Sequence, residues 1–251
     1  MKSTALVARN SFWENARSRF FAVCIVFGVV LVYTGMLLGI LAQEQQARIL
    51  LDFGLSLIEL AGLAVAVYGA ATGLLGEIES KTVYLALTRP VARAHYLLGR
   101  FAGLMASVLS AMCLMAAFHV ALLLCKGWAW NGAYLWALLG SFLAIFITTS
   151  AALFLSLFFS SSLTALLIAG ILWTLGHFIP EIRFLADRAP GSAIWFLKAV
   201  SYVIPNLGLL NWRDNLASAA IPPLALWGSY CLLYAGIWLA CAARLFSRRE
   251  L

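Results

Sequence analysis

The chain has 251 residues, of which 64% are hydrophobic and 11% charged, with a net charge of +7. Soluble domains sit near about 45–50% apolar and ~25% charged, so a soluble catalytic or nucleic-acid-binding domain is excluded. The basic residues sit beside apolar runs, where they read as topology signals and headgroup contacts rather than a nucleic-acid surface.

Chain order shows how the length is used. Residues 1–19 place Leu6, Trp13 and, just beyond, Phe20 at seven-residue spacing among Lys2, Arg9, Arg17 and Arg19. That pattern predicts an amphipathic helix lying in a membrane interface. Six apolar spans follow, at 20–42, 53–76, 101–124, 134–159, 163–178 and 224–243. The first is long enough to cross and has no small-x-small cleavage pattern after it, so it is expected to stay in the mature protein. The fifth is short, as a broken span or one ending below the far surface would be.

Lys and Arg near the span ends set the orientation. Eleven lie on the side of the termini: Lys2, Arg9, Arg17, Arg19, Lys81, Arg89, Arg93, Arg100, Arg244, Arg248 and Arg249. Six lie opposite: Arg48, Lys126, Arg183, Arg188, Lys198 and Arg213. Both termini are therefore expected in the cytoplasm of a multi-pass protein. The expected fold is a single all-α membrane domain over 1–251, with an N-terminal elbow helix and six spans. Two connections are too long for turns. One is 77–100, on the cytoplasmic side. The other is 179–223, whose apolar stretch 193–203, with Trp195, Phe196 and Tyr202, reads as an interfacial or re-entrant helix.

Most of the polar residues inside the spans have ordinary readings. Cys24, Cys113, Cys125, Cys231 and Cys241 form no C-x-x-C pair and read as small hydrophobes. His119 and His177 fit plain hydrogen bonding; Glu181 one turn after His177 would give a metal only two ligands. Trp128, Trp130, Trp173, Trp195 and Trp212 read as interface anchors. The glycine pairs Gly69/Gly73 and Gly99/Gly103 allow close helix approach, with packing inside the chain favoured over dimerisation. Glu59 is the only ionisable residue besides histidine inside a predicted span. It should face the bundle interior, lining a pathway or locking helices, unless the second span starts late and leaves it near the interface.

The segment 77–100 carries the most information. Its charges come first, its middle is amphipathic, and Pro90 predicts two short helices joined at Arg89-Pro90. Glu77, Glu79, Lys81, Thr82, Pro90, Val91, Arg93 and Arg100 form a docking-type surface. A phosphate-binding loop is absent: G-x-x-x-x-G-K-[ST] would need glycine at Leu75 and Ser80.

This segment resembles the signature region of the ABC type-2 permease family: glutamates at a span end, a Gly/Ser-x-Thr step, an apolar stretch, Pro-Val-x-Arg, and Gly-Lys/Arg. Glu77, Glu79, Thr82, Pro90, Val91, Arg93, Gly99 and Arg100 carry it, with Ser80 where glycine is more usual. The ending Phe246-Ser-Arg-Arg-Glu-Leu251, the elbow and the six-span layout are similar too, and the small permeases of the nitrous-oxide-reductase maturation kind are the nearest branch by resemblance. The resemblance implies a dimeric exporter permease of the bacterial inner membrane. Two copies, or a copy and a related chain, form the pathway in the lipid bilayer, and separate ABC ATPase subunits hold ATP and Mg. No cofactor or metal is implied on this chain, and 77–100 would carry the coupling helix. The alternatives are an intramembrane hydrolase, with Ser150 or Ser156 as nucleophile and His177 as base, and a secondary transporter, which would show internal repeats that this sequence lacks.

Reporter fusions after Leu251 and within 187–191 are expected to report opposite sides of the membrane. Matching readouts would exclude the six-span layout.

Overall fold

The computed structural model describes residues 2–18, 20–41, 46–81, 92–159, 161–188, 193–213 and 221–248. Nine α-helices and no strands occur among the described residues. They are α1 Lys2–Ser18, α2 Phe20–Leu41, α3 Gln46–Glu79, α4 Arg93–Cys125, α5 Ala133–Phe159, α6 Ser162–His177, α7 Ile179–Ala186, α8 Ala193–Val203 and α9 Leu224–Arg248, with a 3-10 turn at Leu207–Leu210. Four helices, α3, α4, α5 and α9, are long and apolar enough to cross a membrane, and the bent pair α6–α7 makes a fifth. α2 is a 22-residue helix over the expected first span.

Two span starts differ from expectation. α3 begins at Gln46, seven residues before the expected start of the second span, because Leu50 and Leu51 are buried and extend its apolar face. α4 begins at Arg93 rather than near Phe101. The expected second short helix of the 77–100 connection is thus the first two turns of a continuous helix. Nothing interrupts it after the extended Ala92, and Tyr96 and Leu97 are buried. The join at Arg89-Pro90 lies outside the described residues.

α5 is the most buried span and α9 the least. α5 is rich in hydroxyls, and four of its buried ones are satisfied by their own helix. Thr148 donates to the Ala144 carbonyl at 2.9 Å, Thr149 to Ile145 at 2.6 Å, Ser150 to Ile147 at 2.6 Å and Ser156 to Leu153 at 2.9 Å. Bonding back to the preceding turn removes the penalty of an unpaired hydroxyl in a dry interior. Around α5, the spans turn apolar stripes outward. α6 exposes Leu163, Leu167 and Ile171 at four-residue intervals, while Ala165 and Ala169 pack inward. Such exposure suits lipid rather than water.

The N-terminal helix lies against the first turns of α4. Glycines at 99 and 103 create the groove that receives it. A Cβ at Gly99 would stand 2.9 Å from the Thr4 carbonyl oxygen and from Val7. One at Gly103 would collide with the Ala8 carbonyl oxygen and lie 2.7 Å from Ser11 Cβ. The pair therefore serves packing within the chain. Leu6 and Trp13 remain exposed on the other face of α1, which accounts for their seven-residue spacing.

At the opposite end of the bundle, α6 stops after 16 residues, about 24 Å at 1.5 Å per residue. That is shorter than the ~30 Å hydrocarbon layer. Pro180 stands in the first turn of α7 and the axis bends by 61°. Proline lacks the amide that a continuous helix would need there. After α8 the chain returns into the bundle: Leu207 and Leu210 are buried, Gly140 of α5 lies against the Leu210 carbonyl, and Gly176 of α6 lies against Leu207 and the Pro205 carbonyl. α8 itself, over the stretch expected to be interfacial or re-entrant, stays on the surface; the part that re-enters is the 3-10 turn following it.

Gly103→Ala is expected to lower the thermal unfolding midpoint in detergent, by the equivalent of about 1–3 kcal/mol of overpacking. The obstacle is backbone of α1, which cannot swing aside. Gly170→Ala, with open space around its Cβ, is expected to leave the midpoint unchanged or raise it, as alanine is the better helix former by ~1 kcal/mol. Equal effects at the two positions would mean that α1 does not dock there.

Candidate functional site

Two polar clusters occupy the bundle, one at each end. The first is built at the elbow end, from the base of α3, the start of α4 and the middle of α1. Arg100, only 12% exposed at its side chain, sits one turn past Tyr96 on α4. Its guanidinium forks: Nη2 lies 2.5 Å from Glu77 Oε1 on α3, and Nη1 lies 2.6 Å from Glu14 Oε2 on α1. The second Glu77 oxygen accepts the Tyr96 hydroxyl at 2.6 Å, and the Arg100 carbonyl accepts from Ser11 Oγ at 3.3 Å. Arginine suits this position because its planar fork serves two carboxylates at once and is always charged. One side chain therefore ties three helices together.

Arg93 closes a second link. Its Nη1 donates 3.0 Å to the Ser247 carbonyl near the end of α9, placing positive charge where the helix dipole is negative. Beside it, Tyr96 stacks on Phe246, with ring centroids 6.5 Å apart, and Phe246 is fully buried. Of the expected site residues, the structure brings Glu77 and Arg100 together and sets Arg93 on the C-terminal helix. Glu79 and Lys81 are exposed at the end of α3. Lys81 has a φ of 59°, the left-handed conformation that commonly ends a helix; the residue after Ser80, not Ser80 itself, is thus the one at which glycine would be favoured. Thr82, Pro90 and Val91 lie outside the described residues. Glu14, Tyr96 and Phe246 were not expected partners, since nothing in sequence spacing links positions 14, 77 and 100.

The second cluster surrounds Glu59, which is 2% exposed. The early start of α3 puts this carboxylate inside the bundle, not at an interface. Oε2 accepts from Ser141 Oγ of α5 at 2.7 Å and from Arg213 Nη2 at 2.6 Å. His177 Nε2, at the end of α6, stands 3.3 Å from Oε1, close enough for charge pairing but not aligned as a hydrogen bond. Nδ1 of the same ring faces the Trp173 carbonyl at 3.0 Å. The Trp173 carbonyl can only accept, so Nδ1 is the ring nitrogen that donates there. Arg213 is fixed further by Ser56 Oγ at 2.5 Å and Asn211 Oδ1 at 3.3 Å. Arg213 belongs to the re-entering connection, so this pair pins that connection to α3, α5 and α6.

The other polar residues have structural roles. His119, fully buried, donates from Nε2 to the Leu50 carbonyl at 3.1 Å and accepts the Tyr134 hydroxyl on Nδ1 at 3.0 Å, joining α3, α4 and α5. Its ring lies against Gly54. Trp173 and Trp212 are half-buried against the core: Trp173 packs on His177 at 4.5 Å and Trp212 on Trp227 at 5.6 Å. Trp195 and Trp130 are exposed. A serine hydrolase finds no support, because neither candidate serine meets His177. Ser156 lies beside the α5–α6 turn, whereas His177 is 15 residues up α6 from its start at Ser162, about 22 Å away along that helix. His177 faces a carboxylate instead.

Breaking a buried ion pair by removing one partner leaves an uncompensated charge, at a cost of about 3–5 kcal/mol. Glu59→Leu and Arg213→Leu are each expected to lower the unfolding midpoint substantially, and the double variant to lower it by less than the two effects added. Additive losses would mean that the two side chains do not pair.

A family model described as ABC-2 family transporter protein matches residues 40–244. No curated protein sequence matches. The matched region runs from the end of α2 to the last turns of α9 and so contains the second cluster and, of the first, Glu77, Arg93, Tyr96 and Arg100; it distinguishes no branch within the family. With at least four membrane-crossing helices and a match over most of its length, the chain belongs to the ABC-2 family of transporter proteins as a multi-pass membrane component of the transport system.

Proposed function

We propose that the chain is the permease subunit of an ATP-binding cassette exporter of the bacterial inner membrane. Six spans, counting α2 and the α6–α7 pair, form one half of the pathway, and a second permease copy or a related chain forms the other. ATP and Mg are held by separate ATPase subunits, which dock beneath residues 77–100 on the cytoplasmic side. α1 lies in the inner-leaflet interface as the elbow.

The observation that carries this reading is the Arg100 fork. The segment between α3 and α4 is where an ATPase would push. Its two anchors, the end of α3 and the start of α4, are joined by Arg100–Glu77, and the elbow is joined to them by Arg100–Glu14. A push on the segment therefore reaches two spans and the elbow together. Transmission between distant sites needs such a rigid element with two arrangements, not proximity alone. Arg93, bonded to Ser247, extends the same block to the last helix. In this reading the elbow-end cluster is the transmission joint, and the Glu59–Arg213 cluster holds the far end of the pathway closed until the joint moves.

The permease reconstituted with its ATPase tests this. Arg100→Gln keeps the size and some hydrogen bonding but removes the charge that pairs two carboxylates. It is expected to leave complex assembly and basal ATP hydrolysis in place while lowering cargo-stimulated turnover and transport at least tenfold. The isolated permease is expected to hydrolyse no ATP. Hydrolysis by the purified chain alone, or wild-type transport by Arg100→Gln, would overturn the reading.

A further inference from the structure

The α7–α8 hairpin leaves the bundle at the bend after His177 and holds a surface that neither cluster uses. α6 is shorter than the hydrocarbon layer and α7 departs from it at 61°, so the hairpin leaves the bundle at the end opposite the elbow. One face of α8 is turned away from the protein: Trp195 is 78% exposed, Tyr202 76% and Val203 72%. Phe196 beside them and Phe184 and Leu185 on α7 are exposed as well. Trp and Tyr are the residues enriched at membrane interfaces. An apolar face of this kind, edged by cations, is how a helix lies in the plane of a leaflet.

Between the two helices runs a cleft of about 300 Å³ lined by Arg183, Ala186, Asp187, Lys198, Ser201 and Tyr202. Arg183 Nη2 is steadied by the Ser201 carbonyl at 3.4 Å. Among the described residues, Arg183, Asp187 and Lys198 form no ion pair within 4 Å. Two cations and one carboxylate thus converge on a polar cleft whose rim is continuous with an aromatic, lipid-compatible face. A single phosphodiester matches the cations, an ammonium matches the carboxylate, and acyl chains match the face. Free phosphate would leave both the carboxylate and the aromatic face unpartnered.

We propose that this cleft binds the headgroup of an amine-bearing, zwitterionic glycerophospholipid. Arg183 and Lys198 take the phosphodiester, Asp187 takes the amine, and the acyl chains lie along Trp195, Phe196 and Tyr202. The lipid clamps the hairpin to the leaflet and so fixes the position of the connection that carries Arg213.

The full chain, purified in mild detergent, is titrated with dioctanoyl phosphatidylethanolamine, dioctanoyl phosphatidylglycerol or inorganic phosphate while thermal unfolding is followed. The ethanolamine lipid is expected to raise the midpoint in a saturable way, with the glycerol lipid at least fivefold weaker and phosphate without effect. Arg183→Gln with Lys198→Gln is expected to weaken the ethanolamine lipid at least tenfold, and Asp187→Asn to abolish its advantage over the glycerol lipid. Lys198→Gln alone, at an exposed side chain, gives the same direction if the double variant elutes abnormally. A photoreactive group at position 195 is expected to label phospholipid in native membranes. Equal stabilisation by phosphate or by the glycerol lipid, unchanged affinity in the charge variants, or cross-linking mainly to a second copy or another protein would overturn the proposal.

Discussion

A carboxylate buried among apolar helices needs a cation, and this constraint organises the end of the bundle away from the elbow. Glu59 lies on α3 with apolar neighbours at Ile58, Leu55 and Leu63. Charged groups inside a bilayer are held by other buried groups or by water-filled space. Here the cation comes from a connection that would otherwise run over the surface. Arg213 reaches the carboxylate only because the chain after α8 turns back into the bundle, and it turns back only where Gly140 and Gly176 leave room for its backbone. The shortness of α6 opens that space, and Pro180 bends the chain away from it. Span length, proline position, glycine placement and ion pairing are mutually dependent in this arrangement.

The elbow end solves a different problem with the same chemistry. Three helices meet there at a water-accessible level, where a single exposed pair adds little stability. Arg100 is largely buried by α1 and holds two carboxylates with one planar group, so the pairs are better ordered than isolated surface bridges. The glycine groove beneath α1 supports that order by bringing its backbone onto α4. The two ends differ accordingly: the elbow cluster joins α1, α3 and α4, and the Glu59 cluster joins α3, α5 and α6 to the re-entering connection.

Much of this architecture was legible in the chain. Apolar runs of span length, bounded by Lys and Arg, announce membrane helices because hydrocarbon tolerates no unsatisfied backbone. The short fifth run pointed to a broken span or one ending below the far surface, and the residues of α8 stood out by their aromatic content. The glutamates and arginines of 77–100 pointed to one end of the molecule as its working surface, and Glu59 stood out as the one carboxylate inside a span. These features are local: length, periodicity and composition are properties of consecutive residues.

The partners were not legible, because they are properties of the folded arrangement. Glu59 called for a cation, but Arg48, Lys126, Arg183, Arg188, Lys198 and Arg213 all lay on its side of the bundle, and spacing could not choose among them. Only the re-entering backbone selects Arg213. Glu14 joins Arg100 for the same reason, since α1 docks on a glycine groove whose depth no propensity encodes. Residue type alone reads Trp173 and Trp212 as interface anchors; which neighbours they half-bury against, Trp227 among them, follows from the fold. Sequence determined that the chain is a multi-pass membrane protein of this family. Tertiary structure decided which charges meet, because in a low-dielectric interior pairing depends on ångström-scale approach between helices, which no one-dimensional pattern specifies.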